Sequence, residues 1–469
     1  MRKVKIITTI GPSSGKYEVL SRLIQEGVDG FRINFSHGNP HEWDEWVKMV
    51  RELAEKYERE ISIMGDLPGP QVRIGELPVQ EIKAKQTVKL VYKDKVDEEN
   101  TIPVPNRKVF EILELGDIVL IDDGKIILRI IDIGGNEAEA IVLNDAVLYP
   151  HKTLVVFGKE IDLPVLSEKD VDLVNYSVSR KLTYLAISFV RRSSDIVIVR
   201  DIVSRLNGEI GLIAKIETRS AVKNLKDIMS VSDAIIIARG DLGMHYSLEE
   251  LPGLQRKIAR EAIMIGKPSI VATQLLESMV NYPRPSRSEV VDVVNAVYDL
   301  VDALLLTDET AIGKYPVESV KWLKRIISSA ESSIVERRIE DIREKLELRA
   351  LREKYALGLT LLAEKINAKI LIYTKTSTIP PAISRFRPQI PVYVGTSDKL
   401  IAEKLTIYYG LKPFYLKQLR NKDIDYDQGV KTLYEHLKNK EEITYGEIIA
   451  EAYGRRETQI HEIKIRQVI

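Results

Sequence analysis

Residues Gly211–Ser220 read GLIAKIETRS, an apolar run that ends in Lys215 and Glu217. A continuous apolar run of this length fits a strand buried on both faces, as in parallel sheets. Side chains alternate along a strand, so the two charges, two residues apart, face the same way. The same design recurs along the chain in VKIITTI, GVDGFRINF, ISIMGD, LTYLAISF, SDAIIIARGD, KPSIVATQ and VDALLLTDET. Between them lie segments such as HEWDEWVKMVRELAEKYE, whose apolar residues recur at helical spacing. Eight strands alternating with helices predict an α/β fold in which a parallel sheet closes into a (β/α)8 TIM barrel.

One interval breaks the alternation. Residues 67–181 separate ISIMGD from LTYLAISF, far more than one helix and two short loops require. The insert carries strand runs with turn signals, QTVKLVYKD, GDIVLIDDGKIILRIIDIGG, AEAIVLND and KTLVVFG, and reads as a small all-β lid, a β-barrel set over one end of the larger barrel. After the long helical stretch that begins at Tyr315 the pattern restarts with AKILIYT, IPVYVGT and LKPFYL between helices, an open α/β unit. The expected division is residues 1–69 and 166–340 for the catalytic barrel, 70–165 for the lid and 341–469 for a C-terminal, regulatory-type α/β domain. A chain of 469 residues suits about three domains.

Composition narrows the function. The 69 basic and 69 acidic residues cancel, so no global field draws the chain to nucleic acid or to an anionic membrane. The absence of cysteine removes disulfides, thiolate metal sites and cysteine nucleophiles. No apolar run approaches a membrane span and MRKVKIITTI leads straight into a strand, so a soluble cytoplasmic protein is expected.

Barrel chemistry sits at the carboxyl ends of the strands. Here those ends carry Thr9, then Arg32, Asn34, Ser36 and His37, then Asp66, then Ser188. Lys215 and Glu217, Arg239 and Asp241, Thr273 and Gln274, and Thr307, Asp308 and Glu309 complete the ring. The opposite turns, such as SVSRKL, look like ordinary solvated loops. A lysine there serves as Schiff-base nucleophile, electrostatic clamp or carboxylate partner. Glu217 and Asp241 on neighbouring strands suit a hard cation such as Mg²⁺, and a cysteine-free, histidine-poor setting disfavours zinc. ARGDLG places backbone N–H groups at a helix start, where an anion fits, and Arg32 with Arg73 would add bidentate phosphoryl donors. Divalent metal, lysine, arginines and a lid together describe phosphoryl transfer without a Walker A or kinase glycine loop.

The ordered set FRINFSHG, SEKD, SFVRR, IGLIAKIETRSAV, ARGDLG, ATQLLESM, RPSRSEV and DETAIGKYP resembles the pyruvate kinase family over essentially the whole chain. The resemblance implies transfer of the phosphoryl group of phosphoenolpyruvate to ADP, giving pyruvate and ATP as the final step of glycolysis, by a homotetramer. Carried over, Lys215 neutralises the transferring phosphoryl group, and Glu217 with Asp241 holds Mg²⁺ (or Mn²⁺), so that substrate and metal stand between Lys215 and Glu217. Arg32 and Arg73 grip phosphates, the backbone of Ala238, Arg239 and Gly240 receives the substrate carboxylate, and Ser188 lines the substrate site. Thr273, with Glu309 behind it, occupies the proton-relay position. Asn34, Ser36, Asp66 and the backbone of Leu67 match monovalent-cation ligands. Pro12, His37, Lys152 and the lid residue Asp123 fall near the nucleotide, and Thr374, Thr376, Ser377 and Thr378 match an effector phosphate loop.

Departures from the family pattern are specific. Pro68 and Gln71 stand where the family commonly has lysine and glutamate, and that glutamate goes with potassium dependence, so a monovalent cation is expected to be dispensable. HKTLVVFG replaces the usual run around Lys152, Thr307 and Asp308 replace serine and glycine, and the effector loop lacks its usual glycine. Two other readings are a metal-dependent lyase or aldolase, which needs no nucleotide lid, and a metabolite-binding protein without chemistry, which needs no joint retention of Lys215, Glu217, Asp241 and Thr273.

Overall fold

The computed structural model describes residues 1–333, 336–420, 425–455 and 460–469. Residues 334–335, inside the helical stretch expected after Tyr315, and 456–459, inside the C-terminal run, lie outside the described residues. Eight strands form the closed barrel: β1 (Lys5–Ile10), β2 (Gly30–Asn34), β3 (Ser62–Asp66), β4 (Tyr184–Ile187), β5 (Gly211–Ile216), β6 (Ala234–Ala238), β7 (Ser269–Ala272) and β8 (Ala303–Leu306). All neighbours are parallel, and β1 pairs with β8 to close the ring.

Alternation divides each strand between two cores. Ile7, Met64, Ala186, Ile213, Ile236, Ile270 and Leu305 pack inside the barrel. Their neighbours Ile6, Ile63, Leu185, Leu212, Ile235, Val271 and Leu304 pack outward under the helices. The helices start on local signals. Asn39 caps Pro40–Lys56 in a capping box with Glu42, and Ser286 does the same for Arg287–Tyr298 with Glu289. In SEKD, Ser167 accepts the amide of Asp170 at 3.1 Å while Asp170 accepts the amide of Ser167 at 2.8 Å, so this motif starts the helix Glu168–Ser179.

The insert is a six-stranded sheet plus a two-stranded ribbon, Gln80–Ile82 with Ala146–Leu148. Both wrap one apolar core that includes Val88, Val119, Leu128 and Ala140. It is not wholly β: Arg107–Ile112 is helical, because Asn106 caps the Lys108 amide at 3.0 Å and Val109 and Phe110 turn into that core. The run GDIVLIDDGKIILRIIDIGG folds as a hairpin of Ile118–Ile121 and Ile126–Gly134. Its loop puts Asp122, Asp123 and Gly124 in succession in the left-handed region, at φ 53°, 57° and 84°, which aspartate and glycine tolerate best.

The C-terminal sheet holds β9 (Lys369–Tyr373), β10 (Val392–Thr396), β11 (Leu411–Tyr415), β12 (Ile448–Arg455) and β13 (Ile460–Gln467), in the order 11-10-9-12-13. The last two strands, antiparallel to each other, extend a sheet that sequence reading ended at β11. Ile339, at the expected boundary, packs in the cluster where Leu346 and Leu359 of the C-terminal unit meet Ile263 and Leu300 of the barrel. Arg387 ties the two units: its guanidinium is bidentate to Asp302 at 3.0 and 2.8 Å and donates to Leu300 O at 3.0 Å, with both side chains 2 % exposed.

Candidate active site

The site follows from the alternation. Thr9, Asp66, Ser188, Lys215 and Thr307 each stand two residues past an inner-layer side chain, respectively Ile7, Met64, Ala186, Ile213 and Leu305. Period two therefore carries them to the inner wall at the carboxyl mouth, and Glu217 continues the line from Lys215.

Lys215 is the hub. Its Nζ lies 2.8 Å from Glu217 Oε1 and 3.4 Å from Asp66 Oδ1, and donates to Ser188 Oγ at 2.7 Å. Lys215 and Glu217 form a direct ion pair, since buried opposite charges on one strand face are each other's nearest compensation. Burial pulls the ammonium down, but Asp66, Glu217 and Asp241 outweigh it and hold the lysine protonated, above its usual range. A lysine paired in this way suits an electrostatic clamp better than a Schiff-base nucleophile, which needs a neutral amine. Arg32 donates to Asp66 Oδ2 at 2.6 Å and to Thr9 Oγ1 at 3.1 Å. Burial raises Asp66, yet Lys215 and Arg32 together keep its carboxylate below the ordinary range.

Glu217 and Asp241 form the acidic side. Glu217 is fully buried, and its Oε2 accepts the Phe189 amide at 2.7 Å while its Oε1 meets only the Lys215 ammonium. Burial first, and the Glu217 carboxylate second, push the Asp241 carboxyl up. Two carboxylates forced together, with only the Lys215 ammonium to balance the buried Glu217, fit one hard divalent cation between them. A site of two carboxylates has the donor chemistry for Mg²⁺, which takes one or two protein carboxylates and keeps room for water and substrate oxygens.

Across the mouth, Thr273 and Gln274 occupy the left-handed region at φ 69° and 52°, a costly conformation for a β-branched threonine. The structure over-determines it. Thr273 Oγ1 donates to Ala272 O at 2.6 Å and accepts the Gly240 amide at 2.9 Å, while Arg239 donates to Thr273 O at 2.7 Å and Gln274 O at 2.8 Å. The Arg239 guanidinium also pairs with Asp292 at 2.5 Å, so this arginine braces the strand ends and leaves only its backbone for a ligand. Glu309 is not bonded to Thr273: it accepts the amides of Leu276 at 2.9 Å and Thr307 at 2.8 Å.

Other expected residues are more dispersed. Asn34 accepts the Ser36 amide at 3.1 Å, and Leu67 O accepts the Ser188 hydroxyl at 2.8 Å. Pro12 and His37 are exposed. Arg73, exposed at the lid base, donates to Gln71 Oε1 at 2.6 Å and His151 O at 2.9 Å. Lys152 pairs with Asp122 at 3.0 Å. Asp123 lines a cavity shared with Asp241, and its charge acts on that carboxyl. Thr374 accepts the Ser377 amide at 3.1 Å, and Thr376 and Thr378 share a hydrogen bond at 3.0 Å, so the loop's hydroxyls bond among themselves in the C-terminal domain. Sequence reading missed Phe189 and Asp292, which act through a backbone amide and a distant helix and carried no signal in the chain.

A family profile described as "Pyruvate kinase, barrel domain" matches residues 1–320, and one described as "Pyruvate kinase, alpha/beta domain" matches residues 353–462. A pyruvate kinase of Aeropyrum pernix is 38% identical over 466 residues, covering 99% of both chains. A pyruvate kinase structure from Cryptosporidium parvum superposes with a TM-score of 0.92 at 30% identity, covering 99% of this chain and 96% of that one. One from Pyrobaculum aerophilum superposes with a TM-score of 0.87 at 33% identity, covering 99% of each.

Proposed function

Because the chain belongs to the pyruvate kinase family, phosphotransferases acting between phosphoenolpyruvate and ADP, we propose that the Lys215, Glu217 and Asp241 cluster is its catalytic centre. The observation that carries this is the buried lysine at the barrel mouth, ion-paired to Glu217 at 2.8 Å and held charged beside the two carboxylates of Glu217 and Asp241. Mg²⁺ or Mn²⁺ held by Glu217 and Asp241 would supply positive charge to the substrate oxygens.

The residues' tasks follow from their positions. Lys215, fixed by Ser188 and Asp66, presents its ammonium to the phosphoryl group, whose charge develops in transfer. Arg32, oriented by Asp66 and Thr9, adds a second fixed donor from β2. The turn at Gly240 offers backbone N–H groups to the substrate carboxylate, and the Thr273 hydroxyl beside it hands the proton to the product carbon. Glu309, held by two amides, positions the loop after β8 that borders this hydroxyl's strand. Asp123 and Arg73 bring the lid's polar groups over the nucleotide phosphates, with Pro12, His37 and Lys152 along the nucleotide's path. The family also supports a cytoplasmic homotetramer, with the Thr374–Thr378 loop as its effector site.

Metal binding tests the centre apart from turnover. Mn²⁺ binding followed by electron paramagnetic resonance is expected to show one tight site in the wild type and a loss of roughly tenfold or more in affinity in Glu217→Gln and in Asp241→Asn. Unchanged binding in both variants would place the metal elsewhere.

A further inference from the structure

The turn after β4 holds the lysine and the metal-ligand carboxylate with two consecutive residues. In the pairing of β4 with β5, Ile187 stands beside Ala214, and Ser188 continues that register by accepting Lys215 Nζ at 2.7 Å. The next contacts are out of step by one. The Phe189 amide donates to Glu217 Oε2 at 2.7 Å and Val190 O accepts the Thr218 hydroxyl at 3.2 Å, while Ile216, the residue passed over, packs outward under the helices. The slip falls at Phe189, whose backbone lies in the left-handed region at φ 54°, an outlier for a bulky side chain. Such strain persists only where the surroundings over-determine it. Here Ser188 Oγ donates to Leu67 O at 2.8 Å, the Arg191 amide donates to Asp195 Oδ2 at 2.8 Å, and Asn224 Nδ2 donates to Arg191 O at 2.8 Å. Gly69 closes over the same turn, so tightly that a Cβ on it would stand 2.8 Å from Ser188 Cβ.

We propose that Phe189 is a positioning residue for the metal ligand, and that its left-handed backbone, not its ring, does the positioning. The turn lets the peptide between Ser188 and Phe189 present its N–H to Glu217 while Val190 and Arg191 keep their ties to Thr218 and Asn224. That N–H commits Oε2 of a fully buried carboxylate. It leaves Oε1, which meets only the Lys215 ammonium, as the oxygen a divalent cation takes. With φ in the extended or helical range the chain cannot make the one-residue slip and keep both ties, and Glu217 loses the amide that fixes its rotation. One turn thus sets the ammonium through Ser188 and the carboxylate through Phe189, so the loop after β4 determines the spacing between lysine and metal. The ring, which lines the cavity between lid and barrel, has no part in this. This inference rests on the reading of Glu217 as a metal ligand.

Backbone preference and side-chain size rank substitutions in opposite orders, which separates the two roles. Mn²⁺ binding to the free enzyme, followed by electron paramagnetic resonance, is compared in Phe189→Gly, Phe189→Asn and Phe189→Val, with Glu217→Gln as reference. The glycine and asparagine variants keep the left-handed backbone and are expected to bind Mn²⁺ within about threefold of wild type. The β-branched valine variant resists that region and is expected to lose roughly tenfold, the scale of a lost partner of a metal ligand. Should one variant not fold, Phe189→Thr replaces Phe189→Val, and either of the other two serves alone. A loss in the glycine and asparagine variants as large as in the valine variant, or wild-type affinity in the valine variant, would overturn the positioning role. Unchanged affinity in Glu217→Gln would instead remove the metal-ligand reading beneath it.

Discussion

At the scale of single residues, the buried Asp66 of β3 joins cations from two other strands, β2 and β5. Arg32 lies 2.6 Å from one of its oxygens and Lys215 3.4 Å from the other, so two fixed cations already balance the carboxylate that would anchor a monovalent ion. Gln71 adds no negative charge nearby and is bound to Arg73. Equal steady-state rates in K⁺ and in a bulky tetraalkylammonium buffer are therefore expected, and strict activation by K⁺ would contradict this balance. The strained Thr273 is the residue least legible beforehand. Its identity and place at a strand end could be read from the chain, but its left-handed backbone depends on Arg239 and Gly240, which reach it from another strand.

At the scale of elements, the barrel was legible because strand period and helix period differ and alternate eight times, and the mouth was legible because polar residues gather at one end of every strand. The strands β12 and β13 were not read, although IIAEAYGR and IHEIKIRQ alternate, since nothing local says that the last strand runs antiparallel at a sheet edge. Docking between elements was also hidden. Glu60, just before β3, accepts the Tyr415 amide of β11 at 3.0 Å, and burial raises its carboxyl from 4.5 to about 7. Burial outweighs the Tyr415 amide, which favours the ionised carboxylate, so the folded state keeps a proton that the unfolded state has released, and the stability this gives is full below about pH 4.5 and lost as pH rises through about 7. Thermal unfolding of Glu60→Gln should match the wild type near pH 4.5 and gain on it steadily up to neutrality. A constant offset between the two across that window would refute the assignment.

At the scale of the whole molecule, the barrel supplies the charged centre, the lid covers it, and the C-terminal unit is locked to the barrel's far end by Arg387 and Asp302. These two lie 85 residues apart in the chain, and nothing in either local sequence announces the pair. Removing one partner strands a buried charge, so Arg387→Met should destabilise the protein by about 3–5 kcal/mol, read as a lowered denaturation midpoint. A midpoint within error of the wild type would show the lock to be dispensable. The central claim is that this assembly moves a phosphoryl group past a lysine that its buried carboxylate neighbours hold protonated. It is tested most directly by a coupled assay for pyruvate formed from phosphoenolpyruvate and ADP with Mg²⁺, run on wild type and Lys215→Met. The account predicts an active wild type and a loss on the order of a hundredfold or more in kcat for the variant, whereas an inactive wild type or a full-rate variant would contradict it.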